Sequence, residues 1–478
     1  MVQSKKILIV GAGEAGASLV KDLKARGAWS SVAGFADDDP LKIGQEISGI
    51  KVLCNIDDIS AICDEQNITD VIIAIPSAKS SLINRITEKV LTAKRKINIL
   101  FVPSAEKFFD SVPISPSLQE FPISEILDRD EFTIDLPLME KFFAGKSILI
   151  TGAGGSIGSE ICKQLLKFSV SKIIALGRGE NSIYNLMQEL EDYRSLMPQK
   201  MPHTSFKIAD VRDREMVKKI FKEEEPDIVF HAAAHKHVPL MEFNECEALR
   251  NNILGTYNIL SLSHEFHIDK FILISTDKAV KPSSVMGATK RLCELLTSFY
   301  NENYKLNTAT VRFGNVLGSR GSVIPLFLNQ IKKGGPVTVT HPKMKRYFMS
   351  IPEAALLVIN AAAISFGGEI FILNMGKEHS IEEIARKMIE LYGLKADIDI
   401  KIKYTGLRAG EKLSEELFYN SDSIEKSAND NIFISRNEHS QLTINMVEEI
   451  VDAVTNKVYS MNGNDVRDFL KKFIPEYF

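Results

Sequence analysis

Two apolar runs in this chain each end in a glycine turn and pass straight into a helical pattern, first in KKILIVGAGEAGASLVKDL and again in KSILITGAGGSIGSEICKQLLKF. A short buried strand, a tight glycine turn and a helix, in that order, begin a Rossmann unit. In the first run Gly11 allows the turn, Gly13 lets backbone approach a diphosphate, and Gly16 lets the helix pack on the strand. The helix N-terminus is then an anion site. Asp37, in VAGFADDDP, stands about 20 residues further on, where an acid contacts a ribose hydroxyl. The alternative for this first unit is a Rossmann-like scaffold whose site is empty or regulatory.

With 478 residues, 45% of them hydrophobic, the chain exceeds one ordinary core and has apolar material for two or three. A formal charge of -4 gives no general basic field for nucleic acid, so any anion site must be local. Cys54, Cys63, Cys162, Cys246 and Cys293 lie far apart without CxxC pairs, and no cleavable leader precedes the first strand, which together suggest reduced thiols in the cytoplasm. The apolar runs, such as 71–75 and 97–102, are far shorter than the ~20 residues that cross a bilayer.

Strand-like VIIAIP and INILFVP alternate with helical stretches and complete a first α/β domain over 1–107. Pro113, Pro116, Pro122 and Pro137 then break the pattern, which marks 108–146 as a connector. The second unit is expected over 147–436, followed by a helical tail over 437–478 (VEEIVDAV, VRDFLKKF) whose role is simple packing or an oligomer contact. The fold class is therefore α/β, with two doubly wound parallel-sheet domains.

The second turn spaces its glycines as Gly152, Gly155 and Gly158, a TGxxGxxG form that resembles the short-chain dehydrogenase/reductase superfamily. The resemblance implies a nicotinamide dinucleotide at Gly152, Gly155, Ser156, Ile157 and Gly158, with Asp210 and Val211 at the adenine. The alanine turn of DIVFHAAAHKHVP brings Ala232 and Ala233 against the cofactor, and Asn252 matches the superfamily's structural asparagine. The next strand ends at Gly177, followed by Arg178. An acid there repels a 2′-phosphate and an arginine pairs with it, so NADP is favoured over NAD. Alternatively Arg178 stacks on adenine or faces solvent.

Alternate histidines in the HKH triplet can share a face, but no further ligands complete a metal site, and none is expected. His235 and His237 read as structural or solvent-facing, and Lys236 as a contact to a substrate diphosphate or sugar. In KFILISTDKAVKPSSVMGATKRLCE the apolar run is a strand that delivers Thr276, Asp277 and Lys278 to its C-terminal end, where open α/β sheets bind ligands. Met286 and Lys290, four apart, share a helix face. In the wider superfamily that spacing is Tyr-x-x-x-Lys. Methionine cannot accept a proton, so either the oxidoreductase site is dead or Asp277 and Lys278 handle protons instead.

TGAGGSIGSE, HAAAHKHVP, STDKAVKPSSVMGATKR, RFGNVLGSRGSVIPLF, HPKMKRYFMSIPEA and GLRAGEKLSEEL, in that order, resemble the polysaccharide-biosynthesis family of UDP-N-acetylglucosamine 4,6-dehydratases, in its methionine-bearing branch that retains configuration at carbon 5. The resemblance implies an extended short-chain dehydrogenase/reductase domain with a smaller C-terminal substrate-binding part. It also implies a UDP-sugar held by Lys236, Asn315, Arg320, Arg346 and Arg408, with Val323, Pro325 and Thr338 at the uracil. Family members often carry membrane helices ahead of the first Rossmann unit, which would put this chain at the inner face of the membrane. A homo-oligomer is expected. Gly177, Lys345 and Asn374 depart from the usual aspartate, threonine and aspartate, the first bearing on the choice of cofactor.

Under this resemblance Lys290 holds the nicotinamide ribose, Thr276 bonds the carbon 4 oxygen, Asp277 protonates the departing carbon 6 hydroxyl and Lys278 takes the carbon 5 proton. The carbon 4 base is either Asp277 or a water relayed through Thr276. The competing readings are a UDP-sugar 4-epimerase and a non-catalytic NAD(P)-sensing protein.

Overall fold

A computed structural model describes residues 6–25, 29–75, 78, 80–94, 97–102, 134–196, 201–419, 424–435 and 440–477. Positions 108–133 of the expected connector lie outside these. Its remainder forms the helix Leu136–Phe143, capped by Asp135, whose carboxylate accepts from the Leu138 amide at 3.0 Å.

The chain divides into two units: 1–129 with 323–342 and 380–405, and 130–322 with 343–379 and 406–478. Residues 323–342 and 380–405, expected within the 147–436 domain, thus group with the first unit. One long-range contact joins the two segments to each other, and another joins them to the first unit. Val337–Val339 runs parallel to Ile402–Tyr404, and Leu391 from the helix Ile381–Leu391 is buried among Ile83, Ile86 and Val90 in the first unit's core.

In the first unit, five parallel strands lie in the order Ile50–Cys54, Val32–Ala36, Ile7–Val10, Asp70–Ile73, Asn98–Phe101, with Glu46–Ile47 antiparallel at one edge. Strands covered on both faces read as unbroken apolar runs. Successive side chains accordingly alternate between two cores, Leu8 and Val10 in one and Ile7 and Ile9 in the other.

Among the described residues the main sheet of the second unit has nine strands. Seven are parallel, in the order His203–Ile208, Lys172–Gly177, Ser147–Thr151, Ile228–His231, Lys270–Ile274, Thr308–Arg312, Glu369–Leu373. Ile432–Ser435 and Ile424–Lys426 close that edge antiparallel. Strand order reverses between Ser147–Thr151 and Ile228–His231, and a ligand crevice opens at such a switch point. The helix Val285–Tyr304 starts where Ser284 Oγ accepts from the Gly287 amide at 3.1 Å, and its residues 285–300 are all buried. The tail helices Ile444–Thr455 and Gly463–Phe473 pack into the same core through Val447, Ile450, Val466 and Leu470. Among the described residues no helix is long and apolar enough to cross a membrane.

Candidate active site

At the switch point the glycine turn is held by close backbone approach. Gly152 has φ +66°, and a Cβ there would lie 2.7 Å from the Ala233 nitrogen and 2.8 Å from the Ala232 carbonyl carbon. Gly152, Ala232 and Ala233 thus form one bare backbone surface. A Cβ on Gly158 would meet Ala153 Cα at 2.8 Å, so the helix Ser156–Leu165 packs tightly on the turn. Gly155 caps that helix without a side-chain acceptor, which leaves the first-turn amides around Ser156 and Ile157 to an anion. Arg320 belongs to this loop: its amide donates to Ser156 Oγ at 3.1 Å and its Nη1 to the Gly154 carbonyl at 2.6 Å.

Beneath the turn, His231 is fully buried between Thr151 Oγ1 at 2.7 Å and Thr256 Oγ1 at 3.0 Å. Burial, with Lys290 adding to it, pushes its pKa down to about 3.

Where the adenine contact was expected, Asp210 binds Arg212 through both carboxylate oxygens, and Arg212 Nη1 also binds Glu247 at 2.9 Å. Arg178 Nη1 lies 3.7 Å from both Asp210 and Glu247 and is half exposed. Burial raises the Asp210 pKa, but Arg212 and Arg178 outweigh it and hold the carboxyl below its usual range. Val211 is buried and faces Gly255, where a Cβ would sit 2.7 Å from Val211 Cγ2.

The strand Lys270–Ile274 leads into the segment expected to carry the chemistry. Thr276 caps the short turn Asp277–Ala279. Asp277 Oδ1 accepts from Thr276 Oγ1 at 2.8 Å and from Lys278 Nζ at 2.9 Å. Thr276 and Lys278 are partly exposed, while Asp277 is fully buried and its Oδ2 has no hydrogen-bond partner among the described residues. Gly314 faces that oxygen, with a Cβ position 3.3 Å away. Lys278 Nζ also donates to Asn315 Oδ1 at 3.1 Å.

On the next helix, Lys290 Nζ donates to the Ile274 carbonyl at 2.7 Å. Burial pushes its pKa down against the pull of Cys293 and Glu294. Met286 is 2% exposed and packs in the main core. Asn252 lies in a π-helical stretch, Leu249–Leu254; it accepts from the His235 amide at 2.8 Å and donates to Thr289 Oγ1 at 2.9 Å. That ties the HKH turn to the Lys290 helix.

Of the residues expected at the sugar nucleotide, Lys236 donates to Ser319 Oγ at 3.4 Å, and burial and Lys278 lower its pKa. Arg346 is buried and donates to the Lys345, Leu413 and Lys412 carbonyls at 2.7, 3.1 and 2.8 Å. Arg408 is exposed. Val323, Pro325 and Thr338 belong to the first unit, where Thr338 is bonded to Gln330 on both its amide and its hydroxyl.

In the first unit's own glycine turn, Gly11 has φ +102° and the Ala12 amide donates to Asp37 Oδ2 at 2.8 Å. A Cβ on Gly16 would meet Phe35 at 3.0 Å, whereas one on Gly13 would meet nothing within 4 Å. Asp37 also accepts from the Asp39 amide at 2.9 Å and from Lys42 at 3.2 Å. Burial raises its pKa, and these donors more than reverse that. The acid expected at a ribose is thus engaged by the protein's own groups.

Two groups escape the sequence reading. Glu294 and Arg312 form a fully buried pair at 2.7 Å, and Glu294 also accepts from Ser275 Oγ at 2.6 Å, bracing the strand end. Glu415 lies buried beside Lys278 and Arg346. The signal for Glu294 was its position, one helical turn beyond Lys290.

The profile of a polysaccharide biosynthesis protein family matches residues 148–437, and that of a CoA-binding domain matches 2–103. The capsular polysaccharide biosynthesis protein CapD of Staphylococcus aureus is 44% identical over 441 residues, 92% of this chain and 72% of that protein. A UDP-glucose 4-epimerase of Rickettsia akari is 37% identical over 288 residues, 59% of this chain and 80% of that one. Among solved structures, Pen from Bacillus thuringiensis is 34% identical with a TM-score of 0.56, covering 64% of this chain and 90% of Pen.

Proposed function

Since the chain belongs to the polysaccharide biosynthesis protein family, among nucleotide-sugar dehydratases and epimerases, we propose that it is a UDP-N-acetylglucosamine 4,6-dehydratase that retains configuration at carbon 5. The observation that carries this reading is the contact between Asp277 and Lys278 at the strand end, beside a methionine buried where a tyrosine would titrate.

The bare surface of Gly152, Ala232 and Ala233 and the open helix N-terminus at Gly155 fit a nicotinamide dinucleotide. Held there, it would supply the hydride acceptor for oxidation at carbon 4 and the hydride that carbon 6 receives, so no external redox partner would be needed. Asp210 and Glu247 engage Arg178, which weighs against a 2′-phosphate and favours NAD over the NADP suggested by the arginine alone.

Lys290, fixed on the Ile274 carbonyl, places positive charge at the ribose and lowers proton affinity nearby. Thr276 bonds the carbon 4 oxygen, whose proton passes to Asp277, directly or through a water relayed by Thr276. Lys278 takes the carbon 5 proton, and Asp277 gives a proton to the hydroxyl leaving carbon 6 as water. Lys278 returns its proton to carbon 5 as hydride reaches carbon 6, so both groups end in the state in which they began, held together by the 2.9 Å contact. Asp277 itself is covered, and the partly exposed Thr276 and Lys278 flank it in sequence. Asn315 and Lys236 are the candidates left for the diphosphate, because Arg346 spends its donors on backbone carbonyls.

Incubation with UDP-N-acetylglucosamine and mass spectrometry of the product tests the reading. Loss of one water supports it. The likeness to UDP-glucose 4-epimerase favours a second reading, for which an unchanged mass and a new epimer would decide.

A further inference from the structure

Glu415 is 5% exposed, and one of its oxygens, Oε1, stands 4.0 Å from Lys278 Nζ and 3.5 Å from Arg346 Nη2. An ammonium has three hydrogens to place. Lys278 Nζ donates to Asp277 Oδ1 and Asn315 Oδ1, and Glu415 Oε1 faces the same ammonium at 4.0 Å, an ion-pair rather than a hydrogen-bond distance. Arg346 is itself pinned by three backbone carbonyls, so the Glu415 carboxylate that pairs with it at 3.5 Å has a fixed neighbour besides Lys278. The groups facing Glu415 are Lys278, Asp277, Arg346 and Lys412. Burial pushes its carboxyl above the usual range; Lys278 pulls it down, Asp277 pushes it up, and Arg346 and Lys412 pull it down. A buried carboxylate between two cations costs desolvation that only well-placed partners offset.

We propose that Glu415 is a positioning residue that holds the Lys278 amine against Asp277 and restrains its reactivity until substrate is in place. Its part in turnover rests on the dehydratase reading; its hold on Lys278 rests on geometry alone.

The test uses the full chain with Glu415→Gln and Glu415→Asp. At fixed pH, trace acylation read by peptide mass spectrometry should label Lys278 several-fold faster in Glu415→Gln than in the wild type, with Glu415→Asp near wild type. Equal labelling of Lys278 in Glu415→Gln and wild type overturns the proposal, whether or not the chain dehydrates any sugar. In turnover, Glu415→Gln should lower kcat about tenfold or more with KM changed by less than about threefold. Deuterium uptake at carbon 5 from heavy water should slow more than cofactor reduction. Glu415→Asp should recover part of the loss. Wild-type kcat in Glu415→Gln, or an equal slowing of both steps, overturns the positioning role. A wild-type chain that yields no dehydrated sugar sinks the functional reading instead, and the labelling comparison still decides Glu415.

Discussion

Asp277 Oδ1 and Lys278 Nζ, neighbours in sequence, meet at 2.9 Å at the end of a buried strand, with the carboxylate fully covered and the amine partly exposed. An acid and a base that share a proton path can serve both ends of an elimination.

Replacing Asp277 with asparagine preserves shape and removes the proton. Turnover should fall by about 100-fold or more, the usual worth of a general acid. Cofactor and UDP-sugar affinity, read by calorimetry, should stay within about threefold. Normal turnover in Asp277→Asn would sink the assignment.

Met286 is packed in the core and is given no proton to handle. Met286→Leu, close in volume, should cost less than about 1.5 kcal/mol in urea unfolding and leave turnover near wild type. Met286→Tyr should be destabilised by about 1–3 kcal/mol from overpacking, without gain in rate. A Met286→Leu enzyme that folds normally yet has lost activity would give the thioether a role that core packing does not.

Arg178 is shared by Asp210 and Glu247. Fluorescence titration should show NAD binding more tightly than NADP, and Arg178→Ala should leave NAD affinity within a few-fold. Tighter binding of NADP by the wild type, abolished in Arg178→Ala, would restore the phosphate-binding role.

His231 carries a pH signature. Its folded pKa of about 3 lies below the ordinary 6.5, so between those values the unfolded chain binds a proton that the folded chain refuses. Its contribution is complete above pH 6.5 and drains away as pH falls toward 3. The slope is at most about 1.4 kcal/mol per pH unit. Denaturation midpoints measured across this range should fall more steeply for wild type than for His231→Gln. Parallel curves would contradict the burial argument.

Much of the fold was readable from residue order. The glycine turns announced both sheets because a tight turn between a buried strand and a helix leaves few other choices, and Gly152 and Gly158 indeed stand where a Cβ would collide with backbone. Thr276, Asp277 and Lys278 came with the strand that carries them. Glu415 was hidden because GEKLSEEL offers several charged residues of equal standing, and only the tertiary contact with Lys278 singles one out. Arg312 and Glu294 each resemble ordinary surface charges; their complete burial depends on meeting across helix and strand. Arg320 sits on the glycine loop rather than beside Arg346 because its short segment folds back onto Ser156 and Gly154. The grouping of 323–342 and 380–405 with the first unit rests on strand pairing that joins these two segments and on Leu391 packing into the first unit's core, neither of which local periodicity encodes.

That discontinuity sets an order of events at the ribosome. Domains nearer the N-terminus usually fold first, as soon as they have emerged. Here the first unit lacks Leu391 and the pair formed by Val337–Val339 and Ile402–Tyr404 until residue 405 has been made, when most of the second unit is already out. A fragment cut at residue 107 therefore leaves uncovered an apolar face that the intact chain closes only near the end of synthesis.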